Sequence, residues 1–266
     1  MRTRLIYWIL QSFVPPLLFF GLFVLLWYLG VALFEIKPFL LPGPLRVAAA
    51  IHANLTALLH AAWLTATGAL AGFALSFLVG FLIALLFSQS RVIARGLYPY
   101  AIFLQTVPIV AIAPLIILWI GYGIYGVVAV SFIISLFPII ANTTTGLTAI
   151  HPELLDLFAL NNASRWQILL KLRIPSAVPN MLTGAKISSG LSVIGAIVGE
   201  FFAGYGTEDF GLGYLIIQTN GQAKTDYLFA CILSCTLLGL CIFTLVNVLS
   251  NFFLARWGYA RNSQSV

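Results

Sequence analysis

Between Arg95 and Glu153 the chain runs for 57 residues without an Asp, Glu, Lys or Arg. Three other charge-free runs are each long enough for a membrane span: 30 residues from Leu5 to Phe34, 44 between Arg46 and Arg91, and 29 between Asp226 and Arg256. About 20 apolar residues in a helix cross the roughly 30 Å hydrocarbon layer of a bilayer. A soluble globular domain carries roughly 25% charged residues. This chain carries 8% in 266 residues and is 61% hydrophobic, which excludes that class and excludes disorder. Three cysteines are too few for a disulfide scaffold. The 13 Lys and Arg are dispersed between apolar runs, so no nucleic-acid surface is expected. The runs are continuous, not alternating, which points to an all-α polytopic membrane protein and away from a β-barrel.

The 57-residue run must fold back, and Gly121-Tyr122-Gly123 is the natural corner. Six spans are expected, over about Phe13–Phe34, Ala61–Phe87, Leu97–Ile120, Tyr125–Leu147, Leu182–Ala203 and Leu228–Phe253. Residues 1–12 and 259–266 then form short tails around a 13–258 membrane domain. Pro44–Leu59 is less apolar and holds Arg46, His52 and Asn54, and reads as an outer interfacial helix. Pro108 and Pro114 should bend the third span. The N-terminal apolar stretch is too long for a cleavable signal peptide and reads as a retained span.

With six spans both ends share a side. That side then holds Arg2, Arg4, Arg91, Arg95, Arg165, Lys171, Arg173, Lys186, Arg256 and Arg261, while the other holds Lys37, Arg46 and Lys224. The asymmetry places both termini in the cytoplasm. Five spans would divide the cationic loops between the two sides.

Devices for bond chemistry are missing. Cys231, Cys235 and Cys241 lie within one apolar run and read as small packing residues. His52, His60 and His151 are scattered and offer no metal-ligand spacing. There is no phosphate-binding GxxxxGK[ST] loop, no GxSxG and no HExxH, so neither a catalytic residue nor a cofactor is expected.

The longest cytoplasmic loop, 148–181, is too apolar for a solvated linker. Pro152 suits the first turn of a helix, Leu154, Leu155, Leu157, Phe158 and Leu160 give it an apolar stripe, and Asn161-Asn162 ends it. Ser164 with Gln167 forms a capping box for a second short helix, which Ile174-Pro175 should stop. Pro179 marks a further break. Two readings stand on these residues alone: a hairpin lying on the inner leaflet, or a docking element for another protein.

At this loop the sequence resembles a known family. Asp156-Leu157-Phe158, three residues, Asn162, nine residues, then Leu172-Arg173-Ile174-Pro175 is similar to the EAA loop of type I ABC importer permeases, which reads E-A-A, three residues, G, nine residues, I-x-L-P. Here the acidic position is Asp156, followed by bulky residues instead of two Ala, and the glycine position is Asn162. Ala163-Ser164-Arg165-Trp166-Gln167 looks like the stretch that follows the glycine. Gly195 to Phe201, Gly211 to Ile216, Leu104 to Pro108, Ala113-Pro114-Leu115 and Leu118 to Gly123 resemble the taurine/sulfonate/nitrate branch. The resemblance covers about residues 10–258.

It implies a permease in a bacterial inner membrane, working with two cytoplasmic ATPases, an external solute-binding protein and a second permease copy. Asp156, Leu157, Phe158, Asn162, Ser164, Arg165, Trp166 and Pro175 would make the ATPase-coupling loop. The substrate is expected among sulfonate- or nitrate-type anions, or among heterocycles such as pyrimidines, thiamine precursors or riboflavin. For the pathway, Glu200 is the one acid well inside an apolar run; a gate residue or a cap on the Gly-rich outer loop are both open. Gln105 is a second candidate. Gly195 and Gly199 form a GxxxG pair, for the pathway or for packing. A transporter driven by an ion gradient is the alternative class; it predicts internal repeats and paired midplane charges, and none is evident.

Overall fold

The computed structural model describes residues 2–203 and 210–256, and among these every regular element is helical. In chain order they are α1 (Arg2–Leu33), α2 (Pro44–Ala53), α3 (Leu55–Gln89), α4 (Arg91–Thr106), α5 (Ile109–Ile120), α6 (Ile124–Thr148), α7 (Pro152–Leu160), α8 (Arg165–Ile168), a π turn (Leu169–Arg173), α9 (Ile174–Ala203), α10 (Leu212–Gly221) and α11 (Thr225–Arg256). The expected tail at 259–266, with Arg261, lies outside the described residues. Five stretches are long and apolar enough to cross a membrane: Val14–Leu33, α3, α6, Arg165–Ala203 and α11. The α4–α5 pair qualifies only together, bent by 101°, and counts as the sixth if taken as one broken span.

That break corrects the expectation of one bent helix over Leu97–Ile120. Val107 is extended (φ −68°, ψ 127°), as the residue before a proline prefers, and Pro108 caps α5. Pro114 lies inside α5 without ending it. The corner at Gly121-Tyr122-Gly123 is where it was expected. Gly121 (φ 114°) and Gly123 (φ 85°) adopt backbone angles that side chains rarely tolerate. The interfacial helix is shorter than expected. Asn54 closes α2, its backbone N–H and side-chain amide both donating to the Ala50 carbonyl, and α3 starts at Leu55.

The centre is a mutual packing of α3, α6 and α9. Small residues let the backbones meet: a Cβ on Gly68 or Gly80 of α3 would strike Val127 at 2.7 Å or Ile139 at 2.8 Å of α6. Hydroxyls stitch the same seam. Ser131 Oγ donates to the Ser192 carbonyl (2.9 Å), Ser188 Oγ donates to the Ser135 carbonyl (2.6 Å), and the Ser135 and Ser76 hydroxyls are 2.9 Å apart. Each hydroxyl finds its partner on a neighbour's backbone or side chain inside an apolar layer, where an unmade bond costs most. By contrast α1 is peripheral. Leu17, Leu18, Phe19, Phe20 and Phe23 are exposed, and Trp27 reaches the bundle by stacking on Phe229 of α11, centroids 6.2 Å apart.

The two ends of the bundle differ. At one end Val47 of α2, Leu58 and Ala61 of α3, Leu212 and Leu215 of α10, and Ala230 and Cys231 of α11 share one apolar cluster. At the other, Ala84 of α3 meets Leu147 of α6 and Ala177 of α9.

Candidate functional site

The hairpin after α6 is built as its sequence suggests for most of its length. Pro152 sits at the first turn of α7, where a missing N–H costs nothing. Asn162 has φ 50°, the Asn162 N–H donates to the Ala159 carbonyl (2.9 Å), and the Ala163 N–H donates to the Phe158 carbonyl (3.0 Å). This pair of bonds around a left-handed residue is the Schellman ending, a position that selects Gly or Asn. Asn161 Nδ2 adds a bond to the Leu157 carbonyl. Immediately afterwards the capping box closes both ways: the Gln167 N–H donates to Ser164 Oγ (3.3 Å) and the Ser164 N–H donates to Gln167 Oε1 (2.8 Å). The turn between the two helices is thus fixed by side chains on both sides.

The second helix of the hairpin departs from expectation. Ile174-Pro175 does not stop it, and Pro179 does not break it; helix continues from Arg165 to Ala203. The physical reason lies one turn upstream. Pro175 has no N–H, and its ring crowds the carbonyl four residues earlier. The chain widens into a π turn over Leu169–Arg173, with the Ile174 N–H donating to the Leu169 carbonyl. The short helix α8 is therefore continuous with a membrane span.

None of the nine residues of α7 is buried. Leu154, Leu157 and Leu160 are 41%, 54% and 82% exposed, Asp156 is exposed and Phe158 half-buried. Arg165 and Trp166 are exposed as well. Among the described residues nothing covers this apolar stripe, and exposed apolar surface of this kind commonly marks an interaction site.

Glu200 sits near the end of α9 and is 5% exposed. Its carboxylate accepts from Thr65 Oγ1 of α3 (2.9 Å) and from the Gly213 N–H of α10 (2.7 Å), while the Leu212 N–H donates to Thr65 Oγ1 (2.9 Å). Glu200 and Thr65 together satisfy the first N–H groups of α10, where a negative group is favoured. The close glycines explain themselves here: a Cβ on Gly211 would run into the Glu200 carboxylate, and one on Gly213 into the Ile197 carbonyl and Glu200. Of the sequence signals, the Gly211-Leu212-Gly213 spacing after a lone membrane acid pointed to this cap; nothing singled out Thr65.

The other candidates are dispersed. Gly195 and Gly199 face α6 of the same chain, where Cβ atoms would approach Ser131 Cα at 2.6 Å and Val127 Cα at 3.0 Å. Gln105 is exposed in the last turn of α4, at the elbow before α5. Inside that elbow Phe103, Leu104, Ile112, Leu115, Trp119 and Ile133 line a recess of about 290 Å³ with no charged residue.

Residues 76–258 match the model of the family described as binding-protein-dependent transport system inner membrane component. A probable ABC transporter permease protein of Haemophilus influenzae is 34% identical over 91% of this chain and 97% of its own length. The formylaminopyrimidine transport permease protein ThiX of Halalkalibacterium halodurans is 34% identical over 91% of this chain and 95% of its own. The riboflavin transport system permease protein RibX of Chloroflexus aurantiacus is 33% identical, over 89% and 87% respectively. With an all-helical membrane bundle and an uncovered hairpin already in view, these likenesses make the chain a member of the binding-protein-dependent transport system inner membrane component family, the multi-pass permeases of ABC transporters.

Proposed function

We propose that this permease works in an ATP-driven importer, paired with a second copy of itself, served by two cytoplasmic ATPases and loaded by an external solute-binding protein. The observation that carries the reading is α7: nine residues with none buried, an exposed leucine stripe, and a Schellman turn plus capping box that fix it to a helix running unbroken into the membrane. Burying a Leu or Phe is worth about 1.5–3 kcal/mol, so two or three such side chains in a partner groove transmit a rigid-body push. Asp156, Leu157, Phe158, Asn162, Ser164, Arg165, Trp166 and Pro175 make up this coupling element, and both termini share its cytoplasmic side.

For the pathway we take Gln105, exposed at the α4–α5 elbow, ahead of Glu200, Gly195 and Gly199, because the neighbours of those three are supplied within one chain. The elbow recess is uncharged and mostly aliphatic, with Phe103 and Trp119 as its two aromatic rings, and such a lining suits a small heterocycle of the pyrimidine or flavin kind better than a sulfonate- or nitrate-type anion. The names of two relatives, a formylaminopyrimidine permease and a riboflavin permease, support the same choice.

The test is reconstitution in proteoliposomes with the ATPase and binding protein encoded beside it. Leu157→Asp should leave the permease inserted but abolish ATPase co-purification and ATP-dependent uptake. Uptake driven by an ion gradient with no ATPase present would overturn the reading. An unmodified system that imports nitrate and ignores pyrimidines would overturn the substrate class alone.

A further inference from the structure

By sequence Lys186 counts with the cation-rich side of the membrane, but in the structure it lies well inside α9. Two residues before it, a Cβ on Gly184 would strike the Pro138 carbonyl of α6 at 2.8 Å; two residues after it, Ser188 Oγ donates to the Ser135 carbonyl of α6 at 2.6 Å. Lys186 is therefore level with the stretch of α6 between Ser135 and Pro138. From there α6 runs back to Ile124 and on to Thr148, ten or eleven residues each way. At 1.5 Å per residue that leaves about 15 Å of helix on either side of the lysine. Because α6 is long and apolar enough to cross a membrane, an ammonium stands near the mid-height of a span, whichever end faces the cytoplasm.

Lipid does not solvate a cation at that depth. Snorkelling would run the amine along the helix to an interface. Here it is held sideways, Lys186 Nζ donating to Asn251 Oδ1 of α11 at 3.0 Å, and no carboxylate pairs with it among the described residues. The ammonium has three N–H donors and the Asn251 amide two; among the described residues only the bond between the two side chains is made. Four hydrogens at membrane depth are left to seek acceptors. The helix that carries them is central, packed on by α3, α6 and α11. Its open face holds Thr183, Ile187, Gly190 and Ile194, at helical spacing, with Lys186 at the edge beside α11. The exposed face of α1 in this chain is leucine and phenylalanine instead.

We propose that Lys186 and Asn251 face a water-filled translocation pathway and hydrogen-bond the solute in transit. The solute's part is an acceptor oxygen, which a heterocycle carries as a ring carbonyl and an anion as a charged oxygen. This rests on the transporter reading for the existence of a pathway, and on neither the ATPase nor the orientation.

The first experiment places Lys186→Cys in a chain whose Cys231, Cys235 and Cys241 are replaced by alanine, and treats opened membrane vesicles with a cationic methanethiosulfonate. Only a hydrated thiol ionises to the reactive thiolate, so Lys186→Cys should react at least about tenfold faster than Phe20→Cys on the exposed face of α1. The second measures uptake of riboflavin, a pyrimidine and nitrate separately in proteoliposomes with the ATPase and binding protein. For whichever solute the unmodified system carries, Lys186→Met should lower maximal uptake about tenfold and leave the half-saturating concentration unchanged, since capture belongs to the binding protein. Lys186→Arg should keep most of the uptake, with ATPase co-purification and thermal unfolding as in the parent. Labelling no faster than at Phe20→Cys, or parental uptake by Lys186→Met, overturns the proposal. Fast labelling with unchanged uptake overturns it in favour of a lysine that meets interfacial water only. Uptake lost together with thermal stability overturns it in favour of a packing role. If Lys186→Met fails to fold, Asn251→Leu carries the uptake measurement and Thr183→Cys the labelling, read in the same way. Uptake that needs no ATPase would overturn the importer reading and leave both Lys186 results standing.

Discussion

Gly190 and Gly195 lie five positions apart on α9 and should answer the same substitution with opposite signs. A Cβ on Gly190 meets nothing within 4 Å, so Gly190→Ala removes a flexible residue from a helix interior at no steric cost. It should stabilise by roughly 0.5–1 kcal/mol. A Cβ on Gly195 meets Ser131 Cα at 2.6 Å and the Ser131 backbone nitrogen at 3.2 Å. Backbone cannot swing aside, and Gly195→Ala should cost about 1–3 kcal/mol as α6 and α9 are forced apart. Thermal unfolding of the two variants in one detergent checks both; a shared sign would mean that α6 does not pack this closely on α9. Thr65→Val probes the Glu200–α10 cap in the same assay. It keeps the shape and deletes the hydroxyl that serves both Glu200 and the Leu212 N–H, so about 1–3 kcal/mol should be lost. Thr65→Ser, which keeps the hydroxyl, should recover most of that.

At the scale of elements, the hairpin proposed to couple to an ATPase depends on two backbone constraints that sequence reveals unequally. Asn162 must hold φ 50°. Asn162→Gly should therefore support full ATPase stimulation, while Asn162→Val, for which a left-handed backbone costs about 1–2 kcal/mol or more, should lose it with the protein still inserted. Stimulated ATP hydrolysis in proteoliposomes decides, and normal activity of Asn162→Val would remove the turn from the mechanism. Pro175→Ala restores an N–H and lets the π turn relax to regular helix. The hairpin should then rotate about α9, with stability kept or improved and coupled ATP hydrolysis reduced.

The Asn turn and the Ser164–Gln167 box were legible because both are local: their signals are residue types at fixed spacing. The π turn was not, because a proline rule records that a helix is disturbed and not that the helix escapes by widening one turn earlier. The 101° break at Val107-Pro108 was legible as a bend but not in size, since that depends on how α5 packs. Glu200 stood out by composition. Its partner Thr65, 135 residues away in the chain and on another span, offered no signal until the helices were assembled. The serine ladder was invisible for the same reason: an apolar run says that a Ser lies in the membrane, not which carbonyl it faces.

For the whole molecule, function turns on which way it sits in the bilayer. Leu58 at one end of α3 packs in the cluster with α2, α10 and α11, and Ser88 at the other receives Arg173. About thirty residues of helix separate them, roughly 45 Å at 1.5 Å per residue, so these ends lie on opposite faces of a bilayer. The face with α2 and α10 holds Arg46 and Lys224 in a recess of about 580 Å³ that also contains Asp226, so its positive charge is partly neutralised. The face with the hairpin holds Arg165, Lys171 and Arg173 beside Glu153 and Asp156 of α7. Short loops rich in Lys and Arg are retained on the cytoplasmic side largely whatever acids accompany them, which supports the proposed placement of the hairpin there. Single cysteines at Lys171 and Gln222, both exposed positions, test this in a chain whose Cys231, Cys235 and Cys241 are replaced by alanine. A membrane-impermeant maleimide added to intact spheroplasts should label Gln222→Cys and leave Lys171→Cys untouched until the membrane is opened. The opposite pattern would put α7 outside, beyond the reach of any cytoplasmic ATPase, and the importer reading would fall with it.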